Sequence, residues 1–241
     1  MRTLWIIKAG TTFPDTARRH GDFEQWTLDS LGWDRHGAAI WDARLGQPLP
    51  APSQCAGVVV TGSHAMVTDA LPWSVRLEKW IPEVVEREIP FLGICYGHQL
   101  LARAMGGRVD YHPRGREIGT VRIELLAAAN TDPIFSGLSG QPLVHVVHSQ
   151  TVLQLPPAAE RLARNDFEPN HAFRIGPAAW GIQFHPEYNR RIMCAYIEEL
   201  SHELRATDHD VAALLKSVRD APEGRDVLLR FADHVRQQPG R

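Results

Sequence analysis

Cys95, His185 and Glu187 are the residues whose types and spacing suit covalent chemistry at a carbonyl carbon. Cys95 lies in Gly93-Ile94-Cys95-Tyr96-Gly97, between a short apolar run and a helical pattern, so a thiol stands at a strand-to-helix corner. Gly93 and Gly97 leave room for the sharp turn that such a corner requires. The corner also aims backbone N–H groups and the positive end of the helix at whatever the thiol attacks, which favours the thiolate and supplies part of an oxyanion hole. In Gly181-Ile182-Gln183-Phe184-His185-Pro186-Glu187 a second apolar strand ends in an imidazole. Pro186 biases His185 toward an extended conformation, and residues two apart in an extended chain share a face, so Glu187 can reach the His185 ring. Nucleophile, base and orienter in that chain order predict acyl transfer through a thioester that water hydrolyses.

Taken singly, each residue has a plainer explanation. A cysteine between glycines is most often a small buried hydrophobe, a strand-end histidine is usually satisfied within the fold, and a carboxylate is usually solvated. The conjunction of corner, imidazole and carboxylate reverses that reading. Cys55 and Cys194 have no such setting and read as packing residues. His98, just inside the helix after Cys95, is the competing base, although its place behind the nucleophile suits a supporting role better. His64, His145 and His148 stay unassigned on these grounds. The chain has 12 histidines, yet no pair shows HExxH spacing with a further ligand, so no metal site is expected.

The elements that must position these groups alternate in type. Leu4 to Ile7 reads as a buried strand, followed by a polar loop with Thr11, Thr12 and Pro14 and a helix over Asp22 to Leu31. Ala38 to Trp41 is a second strand, and Gly57-Val58-Val59-Val60-Thr61-Gly62 a third, β-branched and ended by glycine. Trp73, Leu77, Trp80, Ile81, Val84 and Val85 keep helical spacing across Pro82, which is expected to kink or interrupt the helix. Phe91 to Ile94 is the strand before Cys95, and Leu100, Leu101, Ala104 and Met105 line the following helix, which Gly106-Gly107 end. Such alternation predicts a mostly parallel sheet covered by helices. Ile118 to Leu126 and Leu143 to Val147 read as strands with no long helix between them, which predicts a mixed or antiparallel portion. After Tyr188 the apolar positions predict three helices: one through Ile192, Ala195, Tyr196 and Leu200, one through Val211, Leu214, Leu215 and Val218, one through Val227, Leu228, Phe231 and Val235.

At 241 residues and 44% hydrophobic content the chain can bury a sizeable core without staples. A formal net charge of −2 provides no basic footprint for nucleic acid. Three scattered cysteines fit neither a disulfide framework nor paired zinc spacing, and point to a reducing cytoplasm. The apolar stretch at the N-terminus is too short for a signal peptide, and no run of about 18 apolar residues suggests a membrane span. No internal repeat and no Gly/Ser-rich linker divides the chain, so one compact unit is the simplest organisation.

Across Gly93-Ile94-Cys95-Tyr96-Gly97-His98-Gln99-Leu100 and Gly181 to Glu187 the chain resembles the class I glutamine amidotransferases, most of all stand-alone members related to the amidase domain of GMP synthetase. The resemblance covers residues 1–190 and implies a flavodoxin-like amidotransferase domain there, with residues 191–241 as a helical extension packed on the same domain. It implies hydrolysis of the side-chain amide of L-glutamine to glutamate and ammonia by Cys95, His185 and Glu187, with no metal or organic cofactor. Val58-Val59-Val60-Thr61-Gly62-Ser63 looks like the loop whose Gly62 N–H completes an oxyanion hole beside that of Tyr96. Gln99 falls where the family contacts the glutamine moiety, and Val147-His148-Ser149-Gln150 resembles the segment whose main chain holds the substrate's α-amino and α-carboxyl ends, which makes Ser149 and Gln150 candidates. About 50 residues follow Glu187, too few for an ATP-binding synthetase domain, and no P-loop occurs, so acceptor chemistry is expected on another protein. Relatives with the same three residues cleave γ-glutamyl peptides instead, and a regulatory protein that keeps only the fold is the non-enzymatic alternative. The apolar stripes of the C-terminal helices suit either a dimer or partner surface or packing on their own domain.

Overall fold

The computed structural model describes residues 2–238. The chain opens with strand β1 (Thr3–Lys8), helices α1 (Pro14–His20) and α2 (Phe23–Leu31), then β2 (Ala38–Asp42), β3 (Cys55–Val60), α3 (Pro72–Glu86), β4 (Phe91–Ile94) and α4 (Tyr96–Ala104). There follow β5 (Arg108–Tyr111), β6 (Glu117–Arg122), β7 (Glu124–Leu125), β8 (Leu143–His148), β9 (Gln150–Gln154), β10 (Ala159–Arg164), β11 (Ala172–Ile175) and β12 (Ala179–Ile182). Helices α5 (Arg190–Glu199), α6 (Ser201–Ala206), α7 (Val211–Ser217) and α8 (Pro222–Gln237) end it.

An eight-stranded sheet in the order β2-β1-β3-β4-β12-β11-β10-β7 forms the middle of the molecule. β2, β1, β3, β4 and β12 run parallel, and β11, β10 and β7 continue the sheet antiparallel. Two small antiparallel pairs, β5 with β9 and β6 with β8, stand beside it. Every residue of β4 and β12 is buried, as an apolar strand in mid-sheet with both faces covered must be. Alternation along β1 splits the core. Leu4 and Ile6 face Leu28 and Leu31 of α2 and Val227, Leu228, Phe231 and Val235 of α8, whereas Ile7 faces the layer of Leu77, Ile81 and Val84 from α3 and Leu100 and Leu101 from α4.

Four local expectations change. The segment expected as a polar loop at Pro14 is helix α1, with proline in its first turn, where a missing N–H costs no bond. α3 runs through Pro82 without interruption, because the buried stripe of Leu77, Ile81 and Val84 holds it on the sheet despite one lost backbone bond. The strand expected over Ile118 to Leu126 is divided into β6 and β7, which pair with different partners, β8 and β10. Among the described residues four helices rather than three follow Tyr188, since Leu200 separates α5 from α6. Among the described residues no helix is long and apolar enough to cross a membrane.

Candidate functional site

The carboxyl ends of β3, β4 and β12 meet at one edge of the parallel sheet, where α/β folds bind their ligands. Cys95 follows β4 directly, and its N–H donates to Ile182 O at 2.8 Å, which extends the β4–β12 ladder by one step and pins the elbow beside the strand leading to His185. The Cys95 backbone is left-handed, with φ 49° and ψ −94°, a region a side chain occupies only when its surroundings enforce it. Those surroundings are close. A Cβ on Gly93 would stand 2.3 Å from Gly97 O, and one on Gly97 would stand 2.5 Å from Val60 O. Neither position tolerates any residue larger than glycine without moving backbone.

The first intrahelical bond of α4 is from Gln99 N to Cys95 O, at 3.1 Å, so the amides of Tyr96, Gly97 and His98 precede the helical ladder as a cluster of donors. The Tyr96 side chain is anchored elsewhere, its hydroxyl donating to Ser74 Oγ at 2.6 Å, which leaves the N–H as its polar group at the elbow. Gly62 is buried against the His185 imidazole, where a Cβ would come within 2.9 Å of His185 Cε1. The residues that follow it, Ser63 to Met66, line the cavity in front of Cys95.

His185 is buried in the same cavity, and its Nδ1 donates to Glu187 Oε1 at 2.8 Å. With Nδ1 committed, Nε2 has no hydrogen-bond partner of its own. Burial alone would disfavour the imidazolium, but the Glu187 carboxylate and the Cys95 sulfur outweigh it and hold the His185 pKa up at about 10. Cys95 Sγ donates a long bond of 3.8 Å to Val147 O. His98, the competing base, is fully buried against Phe173 and away from the cavity wall, and desolvation pulls its pKa down to about 3. His145 is likewise pulled down to about 4 by burial and by the nearby His185, and its carbonyl receives the His185 N–H at 2.8 Å.

Gln99, Ser149 and Gln150 all border the cavity, whose volume is about 290 Å³. Gln99 Nε2 donates to Gln150 O at 2.8 Å and to Gln183 Oε1 at 3.0 Å, so its oxygen is the group left for a ligand. Ser149 Oγ accepts from Arg116 Nε at 3.1 Å, and Arg116 also reaches Glu203 of α6 at 2.9 Å. The Gln150 side chain turns away from the cavity to the loop after β3, where its Oε1 accepts from Val67 N at 3.0 Å and its Nε2 donates to Thr68 Oγ1 at 2.6 Å. Only the main chain of Gln150 remains for the site.

Some contributors had no signal in the sequence. Glu117 accepts from His148 Nε2 at 2.9 Å, while His148 Nδ1 donates to Gln150 O at 3.0 Å, so this pair props the turn that carries Ser149. Burial by itself would raise the Glu117 carboxyl, but the bond from His148 and the proximity of His171 hold it well below the usual carboxylate range. Phe13, Phe23, Tyr188 and Tyr196 also line the cavity, and only Tyr188, next to Glu187, could have been suspected from its position. Among the described residues no group of three His, Cys, Asp or Glu side chains is arranged to hold a metal ion.

Residues 43–201 match the family model described as glutamine amidotransferase class-I. A glutamine-hydrolyzing GMP synthase of Porphyromonas gingivalis is 36% identical over 132 residues, which are 54% of this chain and 24% of that protein. Gamma-glutamyl peptidase 5 of Arabidopsis thaliana is 30% identical over 169 residues, 69% of this chain and 67% of the relative. The chain thus spans about a quarter of the length of that GMP synthase and two thirds of the peptidase. Among solved structures, a glutamine amidotransferase from Thermotoga maritima superposes with a TM-score of 0.77 at 24% identity, over 99% of this chain and 100% of that one. A glutamine amido transferase from Methylobacillus flagellatus gives a TM-score of 0.72 at 26% identity, over 98% and 92% of the two chains.

Proposed function

This chain belongs to the class-I glutamine amidotransferase family, and from that premise we propose that it hydrolyses the side-chain amide of L-glutamine through Cys95, His185 and Glu187. The observation that carries the reading is geometric: His185 Nδ1 donates to Glu187 Oε1 at 2.8 Å, while its Nε2, with no partner of its own, shares one cavity with Cys95. With Nδ1 committed to Glu187, Nε2 is the atom that exchanges a proton with Cys95. Cys95 Sγ attacks the amide carbon, and the N–H of Tyr96, with that of Gly62 and its loop, receives the developing oxyanion. His185 passes its Nε2 proton to the leaving nitrogen as the C–N bond breaks, so ammonia departs and a glutamyl thioester remains. A water then gives its proton to His185 and attacks the thioester, the C–S bond breaks, and glutamate leaves with the proton shared by His185 and Cys95 restored. Gln99 Oε1 and the main chain around Ser149 and Gln150 hold the ammonium and carboxylate end of the substrate. The released ammonia goes to a separate synthetase, as the likeness to GMP synthases suggests.

A second reading, hydrolysis of γ-glutamyl peptides by the same three residues, is favoured by the likeness to the Arabidopsis γ-glutamyl peptidase, 30% identical over 169 residues. One comparison tests the chemistry under both readings: release of glutamate from L-glutamine and from γ-glutamyl dipeptides by the wild-type chain and by Cys95→Ala, with and without candidate synthetase partners. Loss of roughly 10³-fold or more in the variant is expected. Wild-type rates in Cys95→Ala would sink the nucleophile, and a chain that turns over neither substrate and whose Cys95 resists alkylation is a binding protein.

A further inference from the structure

The cavity in front of Cys95 is lined by residues of two unlike kinds. Gln99, Ser149 and Arg116 are polar. Those in ring contact with His185, and the rings that continue from them, are aromatic. Tyr188 stacks on His185 with ring centroids 4.1 Å apart, and Phe23 lies parallel on it at 6.4 Å. Beyond them Phe13 packs on His64 at 4.4 Å and edge-on to Tyr196 at 5.3 Å. The wall is braced before any ligand arrives: the Tyr196 hydroxyl shares hydrogen bonds with Thr12 Oγ1 at 2.7 Å and with His64 Nε2 at 3.2 Å. Phe23, Tyr188 and Tyr196 are buried, and Phe13 is half-buried.

In the reaction proposed above, the departing nitrogen takes its proton from His185. Whatever that nitrogen carries must therefore lie on the His185 side of the scissile bond, where the aromatic wall is. Ammonia leaving from glutamine is too small to touch it. We propose that Phe13, Phe23, His64, Tyr188 and Tyr196 form a leaving-amine subsite, and that the preferred substrate is a γ-glutamyl amide whose amine carries an aromatic or bulky apolar group. This rests on the second reading above, hydrolysis of γ-glutamyl peptides, and on the assignment of Cys95, His185 and Glu187 common to both readings.

Aromatic walls also attract cations, so the charge of the amine has to be decided. The carboxylates that act on His185 and His64 already face cations, Glu187 with His185, Asp22 with Lys8 and Glu203 with Arg116. His185 itself places positive charge beside the wall, and burial together with that charge keeps His64 below its ordinary pKa, hence neutral. A second ammonium on the amine would be repelled and left without a counter-ion. An apolar or aromatic group meets stacking surfaces and loses little, because the wall is already ordered.

The test compares kcat/KM of the full chain for L-glutamine, γ-L-glutamylglycine, γ-L-glutamyl-L-phenylalanine and γ-L-glutamylputrescine. The phenylalanine substrate is expected to exceed the glycine one by about tenfold or more. In Phe13→Ala that ratio should fall toward one, and in Phe13→Leu it should fall only part of the way. A wild-type ratio at or below one, the same ratio in Phe13→Ala, or a preference for L-glutamine or the putrescine amide overturns the subsite. Calorimetric titration of Cys95→Ala with the two dipeptides gives a readout without turnover, where equal affinities overturn it too. Cys95-dependent hydrolysis of γ-glutamylglycine with no preference for phenylalanine removes the subsite and leaves the proposed chemistry standing. Absence of Cys95-dependent hydrolysis of all four substrates removes both.

Discussion

Glu187 and His185 act on each other through one hydrogen bond of 2.8 Å, and its effect is measurable as a pH profile. A folded-state pKa raised from 6.5 to about 10 keeps the imidazolium intact through neutral pH, so kcat/KM should stay level there and fall only as pH climbs toward the upper value. In Glu187→Gln the carboxylate is gone and the alkaline limb should move down toward 6.5, with a smaller loss at neutral pH than Cys95→Ala suffers. An unchanged limb would mean that Glu187 does not hold the charge. The linkage has a stability side. A raised pKa stabilises the folded chain fully below about 6.5, and that contribution fades as pH rises through about 10, faster in wild type than in the variant. That Cys95 and His185 meet in one cavity with Glu187 on the imidazole was legible in the sequence, because each lies within a few residues of the feature that singles it out. Glu117 was not, since its partners His148 and His171 lie in other segments and a glutamate in a strand has no distinguishing neighbours.

At the scale of elements, the elbow between β4 and α4 holds its cysteine in a left-handed conformation, which costs about 1–3 kcal/mol for a residue with a side chain. Cys95→Gly relieves that strain and Cys95→Ala does not. Although glycine loosens the unfolded chain, the glycine variant should be the more stable of the two, by about 1 kcal/mol in denaturant midpoints. Equal midpoints would mean that the corner is unstrained. The corner could be anticipated because glycines flank it. The helix α1 could not, because its exposed Asp15, Arg18, Arg19 and His20 leave Thr16 as its buried residue and hence no apolar period to detect. β10 was hidden for a similar reason, with exposed Glu160, Arg161 and Arg164 in a run of 6 residues. α3 shows the opposite case, where a proline signal was plain and packing overrode it.

Across the whole molecule, α8 lies 16 residues long against β1, β3 and α2 and shares their core, though it comes last in the chain. Its apolar spacing was readable, but the surface it covers was not, because Leu4, Ile6 and Leu28 are some two hundred residues away in sequence. Phe231→Ala should therefore cost about 3–5 kcal/mol and lower a single cooperative transition, as a core truncation does. A separate early transition for the C-terminal helices would instead mark them as an independent unit. The Gln150 side chain binds together two segments 83 residues apart in sequence, the strand β9 and the loop after β3. The Val67 and Thr68 amides both donate to its oxygen, at 3.0 and 3.5 Å, so their exchange with deuterated solvent should be governed by opening of β9 rather than by loop fluctuation. Two amides on a connecting loop would then exchange as slowly as strand amides, and the two sides of the cavity would loosen together or not at all.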